Sequence, residues 1–139
     1  MRDWEKTTGN LINKQSICFL SSMDVDGFPN TKAMLKPCRT DGVRVFYFHT
    51  NTSSLRVGQF RVNPKACVYF CDRRFYRGVM LKGIMEVLED AATKQMLWQD
   101  DFNTYYHEGV TDPDYCVLRF VAVSGRYYSN FKSEDFDVV

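Results

Sequence analysis

The residues best placed to do chemistry lie between Gly27 and Pro64. Lys32 and Lys36 are four apart in a stretch that reads as a strand, so both ammonium groups project from one face, about 13 Å apart along it. Downstream, His49-Thr50 closes another strand, Thr52, Ser53 and Ser54 open a helix, and Arg56 falls in its first turn. Unpaired helix N–H groups, hydroxyl donors and a guanidinium then converge where a phosphate could dock. On residue statistics alone the same positions have plainer readings, as a solvated strand face and an ordinary helix cap. His49 has no Asp, Cys or Ser arrangement around it that specifies nucleophilic chemistry, so it reads as a ligand contact and no catalytic residue is assigned. His107 and Glu108 lack the spacing of a metal site, and no metal is predicted. Arg73, Arg74 and Arg77 read as a solvated hairpin tip, and the Tyr105-Tyr106 and Tyr127-Tyr128 pairs as core or interface aromatics.

The elements that must position these residues are mostly strands. Asp3 to Lys14 carries Trp4, Leu11 and Ile12 at helical spacing, which predicts a short amphipathic helix. Ser16–Met23, Thr31–Lys36 and Val43–Thr50 read as a meander turned at Asp24–Gly27 and Thr40–Gly42. Val43–Thr50 is apolar on both faces apart from Arg44, as a strand covered on both sides would be. The period then becomes helical over Asn51 to Val62, with Leu55, Gln59, Phe60 and Val62 on one face and Thr52 or Ser53 available as the cap. Asn63-Pro64 stops it, and Ala66–Cys71 resumes a strand. Tyr76–Leu88 alternates imperfectly around Gly83, which predicts a bend at a barrel corner. A helix capped by Asp90 spans Ala91 to about Asp100, a polar loop follows through Gly109, and the last strand is Cys116–Tyr128 with a break at Gly125. Six or so antiparallel strands with flanking helices add up to a mainly β barrel.

Composition sets the outer limits. At 139 residues the chain suits one domain, 1–139, with one core. Apolar residues are 45% and aromatics 15%, with eleven Phe and eight Tyr, too apolar for a disordered chain and rich in strand formers. Eighteen basic against seventeen acidic residues leave a net charge of +1, so no global field recruits nucleic acid or an anionic membrane and any anion site is local. The charged opening Met-Arg-Asp-Trp-Glu-Lys leads into no apolar stretch, and no run approaches membrane-spanning length. Five cysteines without a CxxC pair fit a reducing compartment, and the expected location is cytoplasmic.

Three segments carry a resemblance. GFPNTKAMLK (Gly27–Lys36) resembles a Gly-x-Pro…Arg-x-Met strand. VFYFHTNTSSLRVGQFRVNPKACVYF (Val45–Phe70) resembles a Phe-Tyr-Thr-Asn…Ser-Arg-Lys…Asn-Pro run, and VMLKGIMEVLED (Val79–Asp90) a Val-x-Gly-x-Val-Glu strand. Together these are similar to the pyridoxamine 5′-phosphate oxidase-like FMN-binding family, in particular its small branch related to general stress protein 26. The resemblance implies a Greek-key-like split β-barrel that binds FMN and works as an oxidoreductase on a small substrate. By the same resemblance Lys32 and Lys36 stand near the phosphate and ribityl chain, and the backbone of Ala33, Met34 and Leu35 lies against the isoalloxazine edge. His49 and Thr50 match a pair that contacts FMN, Ser54 with its neighbour Ser53 matches the helix-start Ser, and Arg56 matches the Lys of the triplet. Leu55 and Lys32 stand where the family usually has Arg, so two bidentate phosphate grips are missing or weakened. The family's site lies between two subunits, which implies a homodimer in which Lys82 or Tyr128 reaches the partner's flavin. The longer true oxidase carries C-terminal substrate elements beyond the point where this chain ends, at Val139, so a different substrate is expected. The alternatives are a non-catalytic flavin-binding or stress-response module, or the same scaffold holding a deazaflavin or haem.

Overall fold

In chain order the elements are helix α1 (Trp4–Asn13), strands β1 (Ile17–Met23), β2 (Pro29–Leu35), β3 (Arg39–Asp41) and β4 (Val45–Asn51), helix α2 (Leu55–Val62), strands β5 (Lys65–Asp72) and β6 (Arg77–Leu88), helix α3 (Ala91–Leu97), and strands β7 (Tyr115–Ser129) and β8 (Lys132–Asp137). They belong to a computed structural model that describes residues 2–138. Every strand pairing is antiparallel, in the order β2-β1-β5-β6-β7-β4-β3 with β8 also on β7. The return of β7 to lie beside β4, across the α2 connection, makes the path Greek-key-like. Among the described residues no helix is long and apolar enough to cross a membrane.

The inner face of the sheet carries the main core, where Cys18, Leu20, Phe46, Phe48, Val68, Phe70, Leu81 and Phe120 are buried and α1 adds Leu11 and Ile12. A second cluster of Leu97, Phe102, Tyr106, Tyr115 and Val117 lies under α3 and the following 3-10 turns, and Tyr47 packs against it. Strand β4 is therefore covered on both sides, as its two-faced apolar pattern requires. The outer face of β2-β1-β5-β6 is different. It leaves Ile17, Phe19, Leu35, Tyr69 and Ile84 exposed.

At Gly83 the strand does bend. The ladder between β6 and β7 slips between Lys82 and Gly83, which leaves Val123 as an extra residue in β7. There β7 exchanges one neighbour for another, since Ala122 N–H donates to Arg44 of the β4 approach and Val138 N–H donates to Val123 at the end of β8. A methyl group at Gly83 would run into the Val121 carbonyl and the Phe120 ring, so only glycine fits the corner.

Several boundaries differ from those expected. The described residues form eight strands rather than six or so, because the short β3 and the whole of β8 carry no alternating apolar pattern; β8 is held by pairing with β7 and by Phe136 packing on Trp4, rings 4.7 Å apart. Gly125 does not break β7, and instead makes room for the Phe136 ring. Helix α2 starts four residues late, at Leu55, with Ser54 rather than Thr52 or Ser53 as its cap, and it buries Val57, Gln59 and Phe60 while Leu55 and Val62 are exposed. The expected polar loop after α3 holds two 3-10 turns, Asp100–Thr104 and Gly109–Thr111.

Candidate functional site

The β1–β2 register sets Lys32 opposite the buried Leu20 and Met34 opposite Cys18, so these side chains share the inner face. Lys36 extends the same alternation, its N–H donating to Ser16. The expected single basic face is present, on an edge strand where both lysines stay solvated. Ala33 and Leu35 point outward, beside Phe19 and Ile17.

Strand tilt brings the C-terminal half of β2 against the end of β4. Ala33, Met34, Leu35 and Lys36 meet Phe48 and His49 across a cleft of about 140 Å³. Residues twelve or more apart in sequence thus line one gap. His49 and Thr50 diverge, as neighbours in a strand must. Thr50 is buried on the Phe46–Phe48 side, while the His49 ring turns to the second cluster. There its Nδ1 meets the Tyr106 hydroxyl at 2.9 Å and its centroid lies 4.0 Å from that of Phe102. Burial lowers the His49 pKa from its usual value, opposed by the charge of Asp101, so the ring is neutral at pH 7.

Beyond β4 the chain turns into α2, and this turn is clamped from a distance. The Asp114 carboxylate accepts from Asn51 Nδ2 and from the Ser53 backbone N–H, both at 2.8 Å, and its carbonyl accepts from the Thr52 N–H. These bonds hold the Asp114 carboxyl below its ordinary pKa, that of the Ser53 N–H first. Ser53 is therefore committed to Asp114. The next two polar groups are not committed: the buried Ser54 Oγ makes no capping bond, and the buried Arg56 Nε has no partner among the described residues. Arg56 forms no salt bridge among the described residues, and burial alone lowers its pKa. A helix-start hydroxyl and one guanidinium nitrogen thus lack a partner among the described residues, as does Thr52 Oγ1, and a helix N-terminus with such donors has the chemistry of an anion site. Leu55 between them is 69% exposed and adds no donor.

Lys82 and Tyr128 stand apart from this cleft. The ladder puts Lys82 beside Cys67 and Ser124, and Tyr128 beside Gly78, all on the outer face. Lys82 borders a groove of about 540 Å³ with Met23, Lys65, Ile84 and Val123, and Tyr128 contacts Tyr76 at the β5–β6 hairpin tip. Within one chain neither joins the residues around Arg56. Asp114 and Asn51 form this clamp and were missed from the sequence, whereas Tyr106, read there as a core or interface aromatic, is a core aromatic whose bond to His49 was not anticipated. The one local signal was Asp-Pro-Asp at 112–114, a turn that nothing in its own neighbourhood links to residue 53.

The family profile described as pyridoxamine 5′-phosphate oxidase like matches residues 3–138. A curated pyridoxine/pyridoxamine 5′-phosphate oxidase of Azorhizobium caulinodans is 31% identical over 91 residues, 66% of this chain and 41% of that protein, so the match spans less than half of the relative's length. A crystal structure of a protein related to general stress protein 26, from Clostridium acetobutylicum, is 37% identical, with TM-score 0.89 over 97% of this chain and 94% of that one. Two remoter structures share the fold. An FMN-binding protein of Nostoc punctiforme, related to pyridoxamine 5′-phosphate oxidase, is 11% identical, with TM-score 0.69 over 100% and 98%. A heme-binding protein of Mycobacterium smegmatis is 13% identical, with TM-score 0.78 over 99% and 59%.

Proposed function

This chain belongs to the pyridoxamine 5′-phosphate oxidase-like family of split barrels, and from that premise we propose that it is an FMN-binding oxidoreductase which holds the cofactor by its phosphate. The observation that carries the reading is the group of unpartnered buried atoms at the start of α2, Ser54 Oγ and Arg56 Nε with Thr52 Oγ1 just before them, which follow the cleft-lining His49 by a few residues. Arg56 and Ser54 would bind the phosphate, with the first N–H groups of α2 adding their partial positive charge. Lys36 and Lys32 would offset the remaining negative charge along the ribityl chain. The backbone from Ala33 to Leu35 would orient the ring system. Bound FMN supplies the redox chemistry, so no side chain need act as acid or base.

A homodimer is part of the same proposal. The outer face exposes Ile17, Phe19, Leu35, Tyr69 and Ile84 on neighbouring strands, the kind of apolar patch that marks an interface. Leu35 links this face to the cleft, since it takes part in both. Lys82 and Tyr128, remote from the cleft of their own chain, lie on that face, where a second copy would bring them toward the other flavin.

Titration of the apo-protein with FMN and with riboflavin, read by flavin fluorescence alongside the oligomeric mass, tests the reading. FMN binding much tighter than riboflavin, by a dimer, is expected; equal or absent binding would overturn the phosphate anchor. NADH or NADPH oxidation by the holoprotein then tests the oxidoreductase, and bound flavin without turnover across electron donors would make it a flavin-binding module. A Soret band in the purified protein would point to haem on the same scaffold.

A further inference from the structure

His49 borders the cleft, and among the described residues its ring makes one hydrogen bond, through Nδ1 to Tyr106. Tyr106 is 2% exposed, and His49 is the one partner of its hydroxyl among the described residues. That hydroxyl carries a single proton, which needs an acceptor. If Nδ1 carried a proton and donated, the Tyr106 proton would be stranded in the core, which disfavours that arrangement tenfold or more. The imidazolium form fails for the same reason, because both ring nitrogens would then donate. Phe102 and Tyr105, with centroids 4.0 and 5.5 Å from that of His49, fix the ring plane. Nδ1 is turned inward and accepts. Nε2 is then the protonated nitrogen, at the free end of the ring, near enough to Asp101 to feel its charge but with no hydrogen-bonded acceptor among the described residues.

We infer that Tyr106 is a positioning residue which holds His49 as the neutral Nε2–H tautomer, a fixed hydrogen-bond donor offered to an acceptor atom of the ligand in the cleft. The identity of that ligand as FMN rests on the function proposed above; the tautomer rests on the Tyr106 bond alone. The residue works as an oriented dipole, so its contribution is to binding and to the electronic state of what it touches. The 3-10 turn that supplies Phe102, with Tyr106 two residues beyond its end, thereby becomes part of the site.

Long-range ¹H–¹⁵N correlation on the full chain, with and without FMN, reads the tautomer directly. The wild type should show His49 protonated at Nε2 and bare at Nδ1. Tyr106→Phe keeps the ring packing and removes the hydroxyl, and should yield a mixture of tautomers with FMN affinity lower by about five- to tenfold. His49→Gln keeps a donor and should retain more affinity than His49→Phe. A protonated Nδ1 in the wild type, or a Tyr106→Phe protein whose tautomer and affinity are unchanged, would overturn the inference. Wild-type protein with the Nε2–H form intact but no FMN binding would refute the flavin assignment and leave the tautomer supported.

Discussion

Among the described residues Arg56 stands partly buried without an ion pair, a costly arrangement for a cation unless an anion completes it. Arg56→Ala should therefore weaken FMN by about 1.5 to 3 kcal/mol while leaving riboflavin binding nearly unchanged, in paired fluorescence titrations; equal loss for both ligands would remove Arg56 from the phosphate. His49 makes a different prediction. Its pKa is lowered in the folded chain, whereas in the unfolded chain the ring ionises near ~6.5. Below that pH the unfolded state binds the extra proton first, so the contribution of His49 to stability is complete at neutral pH and declines as acid is added, until the folded ring also protonates. Urea midpoints at pH 7.5 and 5.5 should separate more for the wild type than for His49→Phe. At this scale the sequence was informative about identity and poor about direction. The strand ending at His49-Thr50 was legible, but alternation sends the two side chains to opposite faces, and the fixing partners, Tyr106 for His49 and Asp114 for the following turn at Ser53, arrive from more than fifty residues away.

Elements with a repeating apolar pattern were readable, and those held by one partner were not. β4 shows its two-faced burial in its composition, and Gly83 announced its corner. β8 has one buried apolar anchor, Phe136, in a strand of charged residues, so only its pairing with β7 reveals it. Helix α2 began later than its period suggested because Asp114 binds the turn before it. Two element-level outcomes follow. Gly83→Ala should destabilise the fold by about 1 to 3 kcal/mol through overpacking at the β6–β7 bulge, measured by chemical denaturation; a neutral result would mean the corner can relax. The β7–β8 turn holds Asn130 and Phe131 at φ values of 52° and 64°, and Phe131 is 94% exposed. Phe131→Gly should raise stability by about 1 kcal/mol, because glycine takes the left-handed conformation without the side-chain penalty.

For the whole molecule, the proposed dimer turns on the outer face. Leu35→Glu places a charge on that face while the inner core is untouched, and should convert a dimer to monomer in sedimentation and weaken FMN together with it; a monomeric wild type would sink the dimer. The barrel class was evident from the chain, because antiparallel strands with short turns leave few alternatives. Which strand flanks which was not, since the β4–β7 and β1–β5 pairings join distant stretches. One of those long connections bears on the order of events in time. The turn before α2 is clamped by Asp114, 61 residues beyond Ser53, at the start of the strand that pairs with β4. A nascent chain cannot set this turn, the proposed phosphate cradle, until the start of β7 has docked, so it belongs to the late, slow part of folding. A ligand bound there has nothing to grip in early species. FMN should then slow unfolding in proportion to its affinity and leave the refolding rate almost unchanged, acting as a lock on the finished barrel rather than a template for it.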